Sequence, residues 1–86
     1  MYPGEVLWNN FLIPFGITPY RLAKSMGIDQ PRIASILRGK RAITADTAIR
    51  LSRVLNTTPE FWLDLQMDYD LEIALQNNSY ENIEEL

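Results

Sequence analysis

Neither cysteine nor histidine occurs among the 86 residues of this chain. The first absence removes disulfides and thiolate chemistry. The second removes the commonest metal ligand and the usual proton carrier near neutral pH. No nucleophile–base pair or phosphate loop stands out in what remains, so no catalytic residue, metal or cofactor is expected. No apolar run approaches the ~20 residues of a membrane span. The N-terminus lacks a basic segment followed by an apolar one, which reads against a secretory leader and predicts a cytoplasmic protein with no membrane partner. Positive charge is missing from most of the chain as well. All eight lysines and arginines fall between Arg21 and Arg53, where only Asp29 and Asp46 oppose them; the rest carries nine acids and no base.

What is present is helical punctuation. Residues 4–13 read as a first helix with Leu7, Phe11 and Leu12 on one face and Trp8 alongside, stopped by Pro14, Phe15 and Gly16. Thr18 caps a second helix, with Pro19 at the first helical position and Gly27 past Met26. Asp29 caps a third over 30–38, ended by Gly39. Thr44 caps a fourth over 45–55, followed by Asn56. Thr58-Pro59-Glu60 opens a fifth. Apolar and polar residues alternate strictly from Leu63 to Ile73, which is a strand period. The segment follows a strong helix start and is poor in β-branched residues, so it is predicted helical. On a helix its apolar residues split into two faces. Phe61, Trp62, Leu65, Tyr69 and Ile73 form one; Leu63, Met67, Leu71, Ala74 and Leu75 form the other. A helix with two apolar faces needs cover on two sides, and a chain this small is marginal alone. Leu63, Met67 and Leu71 are therefore the expected homodimer contacts. The aromatic residues Trp8, Phe11, Phe61 and Trp62 are read as core, and the Asp64/Asp68/Glu72 stripe as solvated.

The second and third helices have helix-turn-helix spacing. Ala23 sits where only a small side chain fits, Gly27 makes the turn, and Ile33 and Ile36 lock the third helix down, with Leu22 and Leu37 extending that core. Such a third helix offers its N-terminal residues to a DNA major groove: Gln30, Pro31, Arg32, Ser35 and, at its far end, Arg38. Gln can pair with adenine and Arg with guanine. Lys40 and Arg41 follow in a turn suited to phosphate, and Thr44 opens a helix whose free N–H groups can hold a phosphate oxygen. Arg50 and Arg53 are read as surface residues or as partners of Asp46.

Five segments carry a resemblance: P-G-E at 3–5, Y-R-L-A at 20–23, G-K-R-x-I-T at 39–44, A-I-R-L at 48–51 and T-P-E-F-W-L-x-L-Q at 58–66. Together they resemble the HigA/VapI antidote group of the lambda-repressor-like, Xre-type helix-turn-helix family, over about residues 2–75. The resemblance implies an all-α, five-helix DNA-binding domain, placed at residues 1–76; the polar, acidic composition of residues 77–86 reads as a frayed tail. It also implies a dimer that represses its own operon at double-stranded operator DNA, and binding of a small basic RNA-cleaving toxin of the HigB/RelE class. Where the family commonly has a polar phosphate ligand at the start of the second helix, this chain has Pro19. Two alternatives share the fold: an orphan regulator without a toxin, and a protein–protein module that has lost DNA binding. The gathering of every cation around the helix-turn-helix favours DNA.

Overall fold

The computed structural model describes all 86 residues, and its regular elements are all helices. Helix α1 is one continuous run made of Pro3–Leu7, a π-helical stretch Trp8–Leu12 and Ile13–Phe15. It is followed by α2 (Pro19–Met26), α3 (Gln30–Leu37), α4 (Ala45–Leu55) and α5 (Pro59–Asn77). Pro14 does not end α1, as the sequence suggested. A proline ring clashes with the carbonyl four residues back, at Asn10, and the widened π turn directly before it relieves that conflict. The helix stops two residues later, where Gly16 turns left-handed.

The other boundaries follow from local chemistry. Thr18, Asp29, Thr44 and Thr58 each accept a hydrogen bond from the backbone N–H three residues on. At their far ends α1, α2 and α4 pass into left-handed Gly16, Gly27 and Asn56, and α3 does so one residue later at Gly39. In each case the next residue's N–H bonds a carbonyl five residues back, for example Ile28 to Ala23 at 3.0 Å and Lys40 to Ser35 at 2.9 Å. Side chains and backbone thus satisfy helix ends that would otherwise lose hydrogen bonds.

One core joins the five helices. Leu7 and Leu12 from α1, Leu22, Ala23 and Met26 from α2, Ile33 and Ile36 from α3, Ala48 and Leu51 from α4 and Trp62 from α5 are all buried. Trp62 packs between Phe11 and Phe61, with ring centroids 5.2 and 5.0 Å away, and its indole N–H donates to Thr57 Oγ1 at 2.7 Å. Two aromatic residues expected in the core lie partly outside it: Trp8 and Phe61 are 41% and 38% exposed.

Helix α5 lies against α4 and the start of α1, then projects along a molecule measuring 49 × 22 × 21 Å. Its inner face is Trp62, Leu65, Gln66, Tyr69 and Ile73. Leu63, Met67, Leu71 and Leu75 are exposed. Residues 78–86 are exposed and carry no helix. No helix is long and apolar enough to cross a membrane.

Candidate nucleic-acid interface

Three elements build the basic surface: α3, the turn after it, and the start of α4. Gln30 and Pro31 are exposed in the first turn of α3, and Ser35 is half-buried one turn on. Arg38, Lys40 and Arg41 are exposed, and none of them forms an ion pair. Thr44 caps α4 through Thr47 N–H at 3.3 Å, so the first free N–H groups of an eleven-residue helix lie beside Lys40 and Arg41 in the chain. These are the requirements for holding phosphate: unpaired cations next to a positive helix end.

Arg32 departs from the sequence expectation. It was expected at a base edge, but in the free protein its guanidinium turns back onto α4. Nη2 donates to Asp46 Oδ2 at 2.9 Å and to Thr47 Oγ1, and its side chain is only 21% exposed. Its Nε–H is buried without an acceptor. Asp46 also receives Arg50 Nε at 3.1 and 3.2 Å, the pairing expected for Arg50, and Arg50 Nη1 donates to the Met26 carbonyl at 2.8 Å. The hydrogen bond from Arg32, then that from Arg50, holds the Asp46 carboxyl below its usual 3.8, against a smaller opposing effect of desolvation. A depressed carboxyl stabilises the fold fully above the ordinary value. That contribution is present at neutral pH and is lost only as acid takes the pH down through the lowered pKa.

Gln66 is a positioning residue that the sequence reading passed over. It is buried in α5; its Oε1 accepts from Ile43 N–H at 2.7 Å and its Nε2 donates to Asp70 at 2.8 Å. It thereby fixes the segment that carries Lys40 and Arg41. A signal was available: Gln66 stands one helical turn after Trp62, on the inner face, where a polar side chain needs a buried partner. Gln66→Leu should leave Ile43 N–H without an acceptor. The expected cost is about 1–3 kcal/mol, seen in a thermal melt as a drop of roughly 5–20 °C. An unchanged melt would show that this bond does not anchor the segment.

The helix-turn-helix family model matches residues 11–62. Virulence-associated protein I of Dichelobacter nodosus is 41% identical over 83 residues, spanning 96% of this chain and 77% of that protein. Antitoxin HigA-1 of Vibrio cholerae is 43% identical over 68 residues, 79% of this chain and 64% of its own length. Among solved structures, the Pseudomonas aeruginosa antitoxin HigA with the higBA promoter superposes with a TM-score of 0.95 at 39% identity, covering all of this chain and 97% of that one. By sequence and by fold, this chain belongs to the Xre-type helix-turn-helix family, in the group that contains the HigA antitoxins and virulence-associated protein I.

Proposed function

We propose that this chain is a sequence-specific DNA-binding antitoxin that represses its own operon and neutralises a small, basic, RNA-cleaving toxin of the HigB/RelE class. The observation that carries the reading is the unpaired cationic turn Arg38–Arg41 beside an exposed α3 N-terminus, on a fold superposable with an antitoxin solved with its promoter. Gln30, Pro31 and Ser35 read base edges; Arg38, Lys40, Arg41 and the α4 N-terminus at Thr44 hold phosphates. The protein acts as a homodimer through Leu63, Met67 and Leu71, which matches a palindromic operator with half-sites one or more helical turns of ~34 Å apart. The nine acids outside the basic window supply a field that steers a cationic toxin to the side away from DNA.

Retardation of its own promoter DNA by the purified protein tests the repressor reading. A dimer placing about six to eight cations or N–H donors on phosphates gives a log–log salt slope of roughly −5 to −7. Lys40→Ala and Arg41→Ala should each flatten that slope by about 2 and weaken all sequences alike. Absence of retardation at low salt would sink the repressor reading and favour a protein–protein module. Co-expression with the neighbouring gene product tests the antitoxin reading. Failure to suppress any toxicity leaves a DNA-binding regulator alone.

A further inference from the structure

We infer that Asp46 is a positioning residue for DNA recognition: it fastens Arg32 and Arg50 so that three helix ends share one carboxylate, and it keeps the Arg32 charge off the DNA phosphates. The DNA part of this inference rests on the repressor reading above. Arg32 is the third residue of α3, Asp46 the second of α4, and Arg50 reaches from α4 to the Met26 carbonyl at the end of α2. The end of α2, the first turn of α3 and the first turn of α4 therefore meet at Asp46. Those three ends fix how α3 lies relative to the phosphate-holding turn, and Gln30 and Pro31 ride on the same first turn of α3 as Arg32.

The charge arrangement points the same way. Arg38, Lys40 and Arg41 stand free, whereas Arg32 is turned inward and doubly anchored by Asp46 and the buried Thr47 Oγ1. Both bonds leave one nitrogen, Nη2, so its two N–H donors are both taken up within the protein. Asp46 also occupies the first turn of α4. A phosphate arriving there meets the unpaired cations of the preceding turn, while the local carboxylate is already neutralised by its two arginines.

Salt dependence separates this role from a merely structural one, because it counts charges on DNA. Asp46→Asn should release Arg32, while Arg50 keeps its bond to the Met26 carbonyl, and steepen the slope on random duplex by about 2 for a dimer. Preference for operator over random duplex should fall roughly tenfold, the discrimination of about one base pair. Asp46→Glu should restore both, and adding Arg32→Gln to Asp46→Asn should return the slope to that of the wild type. Arg32→Gln alone should leave the slope unchanged. In the DNA-free protein, nitrogen-15 spectra should show hindered rotation of the Arg32 guanidinium that Asp46→Asn abolishes. If Asp46→Asn does not fold, Arg32→Gln and the wild-type spectrum decide. A slope flattened by about 2 in Arg32→Gln places that charge on phosphate and overturns the inference. A freely rotating Arg32 in the wild type overturns it as well. If the wild type fails to retard DNA at all, the repressor reading falls, and the spectrum still judges the fastening of Arg32.

Discussion

Met67→Asp is expected to make the protein monomeric at micromolar concentration and to weaken operator binding by at least about a hundredfold. The side chains of Leu63, Met67, Leu71 and Leu75 are spaced by four, so they form one ridge along α5, and all are exposed. Ridges of this kind pack into the grooves of a second helix, and in a symmetric pair each residue meets its own neighbourhood in the copy. In the proposed homodimer one substitution would therefore bury two carboxylates, each uncompensated. Leaving a buried charge without a partner costs about 3–5 kcal/mol, and 2.7 kcal/mol is already about a hundredfold in affinity. Operator binding follows the dimer, because two half-sites on one rigid body bind as one event and two free monomers do not. The protomer itself should keep its fold, since Met67 is 52% exposed within it. Sedimentation and gel retardation check both halves. A variant that stays dimeric would move the interface to another exposed apolar surface, such as Trp8, Ile13 and Phe15 of α1.

The parts of this molecule legible from sequence are those settled within a few residues. Each N-cap bonds an N–H three positions on, so Thr18, Asp29, Thr44 and Thr58 announce their helices wherever these end up in space. The same local logic resolved the alternating segment 63–73, because the cap at Thr58 commits α5 before the alternation begins. The pairing of Arg50 with Asp46, one helical turn apart, belongs to this class. The illegible parts are contacts across the fold. Arg32 and Asp46 are 14 residues apart, and nothing near Arg32 shows that α4 will offer it a carboxylate and a buried hydroxyl. Gln66 reaches Ile43 across 23 residues. The frame of the helix-turn-helix gives the positions facing outward, but the tertiary partner decides which of those side chains remains free.

Gly4→Ala is the substitution with the largest expected effect on stability, and local reasoning predicts the wrong sign for it. Within a helix, replacing Gly by Ala ordinarily stabilises by about 1 kcal/mol. Here α1 lies directly on the end of α3. A Cβ on Gly4 would stand 2.0 Å from the Ile36 carbonyl oxygen and 2.9 Å from both the Ile36 carbonyl carbon and Leu37 Cα. All three are backbone atoms, so no side chain can swing aside; α1 must lift by more than 1 Å to regain ordinary contact, which is roughly 3.2 Å or more between C and O. That shift pulls buried Val6 and Leu7 from the core. It also disturbs the turn in which the Ile36 carbonyl accepts Gly39 N–H at 3.1 Å, beneath the Tyr2 ring. Overpacking against atoms that cannot yield costs about 3 kcal/mol or more, a large share of the roughly 4–13 kcal/mol available to a domain of this size. Urea denaturation of Gly4→Ala should show the loss, while Glu5→Ala, one position along the same turn, should stay within about 0.5 kcal/mol of wild type. Operator affinity measured well below the melting temperature should fall too, because the displaced turn carries Lys40 and Arg41. A Gly4→Ala protein as stable as the wild type would mean that α1 does not rest on the end of the recognition helix.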